Sequence, residues 1–131
     1  MRDNKVMRPL GIFYGFSFIS GGTLGFVPAV TSNGLFLGIF AVNPLHSAMH
    51  LASGVIFLIA TMIGAWATRL WFQLFGLAYG ALAAWGLWAG DGMICGGLIT
   101  NNLYDSWGHA GLALSMLLIG FLSARPVAAT A

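Results

Sequence analysis

Apolar positions run almost without interruption through four stretches of this chain, at roughly residues 9–27, 44–66, 70–89 and 103–124. The prolines and most of the few charges fall between these runs or at their ends. Each stretch is close to the ~20 residues an α-helix needs to cross a bilayer. A half-buried strand would alternate apolar and polar residues, and these runs do not, which argues against a β-barrel. Punctuation agrees with helices. Pro28 closes the first run, and Pro44 opens the second, where a missing N–H costs little. Gly90-Asp91-Gly92 follows the third run and Arg125-Pro126 the fourth. The predicted fold class is all-α: an integral membrane four-helix bundle, with residues 1–131 forming a single transmembrane domain.

Composition sharpens this. The chain is 59% hydrophobic and 6% charged, against about 25% charged residues in an ordinary soluble domain. Four apolar helices with almost no charged face leave nothing to meet water. The apolar run at 9–27 exceeds the ~7–15 residues of a signal-peptide core, and no small-x-small cleavage pattern follows it. It is read as a retained helix. Cys95 is the only cysteine, so no intramolecular disulfide is expected. It reads as a small buried hydrophobe, with a metal ligand or an intermolecular bridge as the sharper readings.

Charge adds an orientation. Arg2, Lys5 and Arg8 precede the first helix, Arg69 lies between the second and third, and Arg125 follows the fourth. With four spans all five fall on one side. The positive-inside rule makes that side cytoplasmic, with both termini inside a bacterial inner membrane. Asp91, Cys95 and Asp105 then fall outside, and no polar group is expected to line the cytoplasmic half. Five basic residues make no nucleic-acid patch. The expected partners are the lipid bilayer and, on the glycine-rich faces, other membrane subunits or a second copy. The two outer connections, 30–42 and 90–101, are apolar and glycine-rich. They are expected to lie in the interface or fold back on the bundle, because irregular backbone is not tolerated in contact with lipid at depth.

The chain also repeats itself, over residues 8–66 and 69–124. At an offset of 61, Arg8 matches Arg69, Gly15 matches Gly76 and Gly25 matches Gly86. At an offset of 59, Gly38 matches Gly97, Asn43 matches Asn102, His46 matches Asp105, Ser47 matches Ser106 and His50 matches His109. Each half carries two spans, so the halves should be helical hairpins related by a pseudo-two-fold axis along the membrane normal. Gly11-x3-Gly15, Gly21-x3-Gly25 and Gly76-x3-Gly80 have the small-xxx-small spacing that lets helices approach closely. Trp66, Trp71, Trp88 and Trp107 fall near helix ends, as interface anchors do.

The repeat singles out one site. His46, His50 and His109 are the only histidines. Residues four apart share a helix face, so His46 with His50, and Asp105 with His109, should face inward at one depth near the outer end. Three imidazoles and a carboxylate suit zinc, copper or iron. His50 and His109 could instead be axial ligands of a haem, or each hold a chlorophyll-like magnesium. The bland reading is a polar tie between helices, and a third is an outer-face pH sensor. Asn43, Asn102, Ser47 and Ser106 would support the site. No P-loop, dinucleotide fingerprint or GxSxG motif points to soluble-enzyme chemistry.

The run NPLHSAMHLASG, its Asp-x3-His echo and the hairpin duplication resemble the bacterial membrane proteins grouped as domain of unknown function 4383. The resemblance covers roughly residues 9–124. Asn43, His46, His50, Leu51 and Gly54 match the family's N-x-x-H-x-x-x-H-L-x-x-G pattern. The second copy departs from it, with Ala110 at the leucine position and Ala113 at the glycine. The resemblance implies a small four-helix membrane protein and no particular activity. The leading expectation is a non-enzymatic membrane module whose cluster binds a metal or tetrapyrrole or locks the bundle. The alternatives are an accessory subunit of a larger membrane complex and a proton- or redox-linked membrane enzyme.

Overall fold

A computed structural model describes residues 2–123, with side chains from Lys5 onward. Arg125 and the end of the fourth apolar run lie outside the described residues. The protein is mostly helical. Helix α1 spans Arg2–Leu24, α2 Pro44–Ile63, α3 Ala65–Ala89 and α4 Leu103–Leu117, and α4 continues as a π-helical turn at Leu118–Leu122. The four helices fall where the apolar runs predict them, with two corrections. Helix α1 begins at Arg2 and carries Pro9 inside it, where the ring removes the N–H that would bond the Lys5 carbonyl and crowds that oxygen. Helices α2 and α3 meet at one residue, Gly64, whose φ of 149° favours glycine. Arg69 is therefore inside α3, not in a loop, and it is buried.

Both long connections form small antiparallel sheets where irregular chain was expected. The first holds β1 (Thr31–Ser32), β2 (Leu35–Phe36) and β3 (Phe40–Ala41); the second holds β4 (Gly92–Ile94) and β5 (Ile99–Asn101). Strand pairing satisfies backbone groups that glycine-rich loops would leave open. The two turns resemble each other. Leu37 and Gly38 have φ values of 54° and 75°, and Gly96 and Gly97, their counterparts at the offset of 59, have 67° and 87°.

Helix α1 packs mainly on α2, and α3 mainly on α4. Glycine makes the first contact close: a Cβ on Gly54 would stand 2.5 Å from the carbonyl oxygen of Gly15. A Cβ on Gly25 would collide with Ser47, and one on Gly86 with Ser106, so equivalent pairs touch in each hairpin. Gly21 has open space around it and lines a cavity instead. Between the hairpins lies an aromatic core. Phe57 and Phe72 are fully buried with ring centroids 4.8 Å apart, and Phe18 stacks on Phe57 at 6.0 Å.

The end of the bundle opposite the sheets is polar inside. Arg8 donates from Nε to the carbonyl of Thr61 at 2.8 Å. Arg69 donates from Nη1 to the carbonyl of Gly120 at 3.2 Å and to Ser123 Oγ at 3.0 Å. Gln73 Nε2 shares the Gly120 carbonyl at 2.9 Å. Thr61 and Gly120 are counterparts at the offset of 59, as Arg8 and Arg69 are at 61. Each arginine thus serves a carbonyl near the end of the other helix in its own hairpin, where such acceptors lack intrahelical donors and a cation suits the dipole. The expectation that this half lacks polar groups is corrected. Helices α2 and α3 are long and apolar enough to cross a membrane.

Candidate metal centre

At the sheet end, the polar side chains build the site in layers. Asn43 and Asn102 are the N-caps of α2 and α4. Each accepts from the backbone N–H three residues on, His46 and Asp105 respectively, at 2.9 Å. Each amide then reaches across to the other half. Asn43 Nδ2 donates to the carbonyl of Leu98 at 2.8 Å, and Asn102 Nδ2 to that of Ile39 at 2.7 Å. Ile39 and Leu98 are themselves 59 apart, so the exchange is reciprocal. It locks the two helix starts at one level.

Asp105 belongs to this layer. Its Oδ2 accepts from the backbone N–H of Asn102 at 3.0 Å, completing a capping box, and from that of Ala41 in β3 at 3.1 Å. Its counterpart His46 bonds the same residue from the other side, Nδ1 to the carbonyl of Ala41 at 3.0 Å. Of the four predicted site residues, the three imidazoles come together and the carboxylate stands beside them. His46, His50 and His109 each present one ring nitrogen within 4.8 Å of the others, and Asp105 stands outside this group.

The three rings are mutual neighbours. Centroids are 4.9 Å apart for His46–His50, 5.4 Å for His46–His109 and 5.8 Å for His50–His109. Below them lie Phe18 and Tyr79, with Phe18 edge-on to His50 at 5.6 Å and Tyr79 edge-on to His109 at 5.4 Å. The Tyr79 hydroxyl is 3.0 Å from Ser53 Oγ, which donates to the Met49 carbonyl, so the phenol is the donor to Ser53. The three rings line a cavity of about 240 Å³ together with Phe36, Phe40, Val42, Asp105 and Leu112.

Two imidazole atoms are anomalous. His50 Nε2 and His109 Nδ1 are buried and have no hydrogen-bond partner. An orphaned buried polar atom costs on the order of 1–3 kcal/mol, and here two lie in one group. His46 differs. Its Nδ1 donates to the Ala41 carbonyl, and the backbone of Thr100 is a second hydrogen-bond partner of the ring. Metal-bound histidines are held in this way by a carbonyl behind the ring. Zinc or copper held by imidazoles at ~2.0–2.1 Å sets nitrogens about 3.3–3.5 Å apart. Holding an ion would draw these rings together from nitrogen separations of up to 4.8 Å.

A haem between His50 and His109 does not fit. His46 contacts both rings, so a macrocycle plane between them would have to displace it. The serines take lesser parts: Ser106 Oγ bonds Asn101 Oδ1 and the Asn102 carbonyl, both at 3.1 Å, and Ser47 is buried against Gly25. Sequence reading missed Asn101, a buried residue whose Nδ2 donates to the Gly90 carbonyl at 2.9 Å at the end of α3. It also missed Tyr79 as the floor of the site. Its only signal in the sequence is its match with Phe18 at the offset of 61.

Four helices in two hairpins, joined at one end by exchanged asparagines over three clustered imidazoles, define a helical protein with a histidine-lined cavity. The family comparison agrees in extent with that unit. Residues 8–122 match the model of the family described as "Domain of unknown function (DUF4383)", and the chain belongs to that family. No curated protein and no solved structure matches it.

Proposed function

We propose that this protein is a four-span inner-membrane protein that holds one transition-metal ion on His46, His50 and His109, as a binding module and not an enzyme. The observation that carries the metal reading is the pair of orphaned nitrogens, His50 Nε2 and His109 Nδ1, in one cluster with His46. A purely structural polar tie would pair such atoms with each other or with backbone, because it has no other means of recovering their lost hydration. A metal ion recovers it for all three rings at once.

The membrane placement is supported by what the surface exposes. Phe13, Met62, Trp66, Trp88 and Leu122 are all at least 67% exposed. Within the apolar windows of α2 and α3, only 39% and 28% of residues are buried. The core helix of a soluble protein would be mostly covered, and apolar surface on this scale marks contact with lipid or partners. Lys5, Arg8 and Arg69 lie toward the end away from the sheets. By the positive-inside rule that end is cytoplasmic and the metal site periplasmic. The matching turns, caps and arginine bonds of the two hairpins support the reading of an internal duplication.

The test is metal analysis of the purified full chain after exposure to zinc and to copper, followed by dialysis. One equivalent of metal per chain is expected in the wild type and none in His50→Ala or His109→Ala. A wild-type chain that retains neither metal would overturn the proposal. So would histidine variants that retain metal at the wild-type level.

A further inference from the structure

From the charge inventory of the cavity we infer that the ion is monovalent copper. This rests on the metal-site reading and adds the identity of the ion. Three imidazoles contribute ligands but no charge. Among the described residues the ligand group contains no cysteine and no carboxylate. The walls are apolar, with Phe36, Phe40, Val42 and Leu112 facing the rings. The one negative charge lining the cavity is Asp105, and its Oδ2 already accepts two backbone N–H bonds. It is placed to act on the ion through space and not as a ligand.

The cost of transferring an ion from water into such a site grows as the square of its charge, so a divalent ion is penalised roughly four times as heavily as a monovalent one. A monovalent ion beside Asp105 gives a cavity with no net charge. A divalent ion leaves one positive charge without a counterion, in a place with few dipoles to solvate it. Three imidazoles suit zinc as well, with water as its fourth ligand, and imidazole is an accepted donor for both metals, so charge decides between them.

The experiment is a competition on the detergent-solubilised full chain. Under anaerobic, reducing conditions the protein is titrated against the coloured copper(I)–bicinchoninate complex, with and without a hundredfold excess of zinc. A parallel titration uses a zinc indicator dye. The inference expects one copper(I) equivalent withdrawn per chain, undiminished by zinc, and lost in His50→Ala and His109→Ala. Asp105→Asn, which keeps the side-chain oxygen and removes the charge, is expected to weaken copper(I) binding at least tenfold. Stoichiometric zinc binding that displaces copper(I) would overturn this inference and leave the metal site standing. Failure of both metals to bind would overturn both. An Asp105→Asn chain that folds and binds copper(I) at full strength would remove the electrostatic basis. If that variant does not fold, the wild-type competition decides alone.

Discussion

At the level of single residues, the polar side chains of this protein divide into those that hold the backbone and those that are held for a purpose. Asn43 does two jobs with one amide. Its oxygen caps α2 and its nitrogen crosses to Leu98 in the other hairpin. Asn43→Ala should cost about 1–2 kcal/mol through the cap alone, read as a lower midpoint in denaturant titration of the purified protein. Asn43→Asp keeps the acceptor and loses the crossing donor, so it should fall between the two. Arg69 is a second case. It was legible as an orientation signal but not as a buried donor, because an arginine flanked by apolar residues looks the same in a loop and in a helix. Arg69→Ala would remove the charged donor to Ser123 and one of the two donors to the Gly120 carbonyl, leaving Gln73 as the other, at a cost of about 1.5–3 kcal/mol. Equal midpoints for Arg69→Ala and wild type would refute that role.

At the level of elements, glycine decides how near the helices come. The repeat shows which glycines recur, but it cannot show which of them face a neighbour. Gly54 faces the Gly15 carbonyl at contact distance, whereas Gly111 in α4 has nothing near it. Gly54→Ala should therefore force α1 and α2 apart and destabilise the protein by about 1–3 kcal/mol. Gly111→Ala should be neutral, or stabilising by up to about 1 kcal/mol, because alanine is the better helix former. The same melting measurement on both variants checks the pair, and a reversal of their order would refute the packing. The sheets belong to this scale as well. The segments 30–42 and 90–101 show no strand alternation, and two- and three-residue strands are too short to leave one. Their pairing is set by the turns, where Leu37, Gly38, Gly96 and Gly97 adopt positive φ.

For the whole molecule, the proposed topology puts Cys95 on the periplasmic side of the membrane and Lys5 on the cytoplasmic side. Cys95 is partly exposed in the turn between β4 and β5. It should react with a membrane-impermeant maleimide added to the outside of spheroplasts. In a Cys95→Ser background, Lys5→Cys should react only after the cells are lysed. The opposite pattern would invert the topology and place the metal site in the cytoplasm. The same geometry ties the site to the fold as a whole. His46 and His50 come from one hairpin and His109 from the other, so loss of the contact between hairpins should abolish metal binding without any change to a ligand.

By itself the sequence determined the number and approximate extent of the helices, because runs of ~20 apolar residues have few other solutions. It determined that His46 and His50 share a face, because helical periodicity is local, and the offset of 59 paired Asn43 with Asn102 and His50 with His109. Tertiary structure decided the rest. It set Asp105 apart from the three imidazoles, with its Oδ2 taken by two backbone N–H groups from separate segments. It turned loops into sheets, buried Arg69, and left His50 Nε2 and His109 Nδ1 without partners. Those outcomes depend on which donors and acceptors meet across the two hairpins, and no pattern within either half records that meeting.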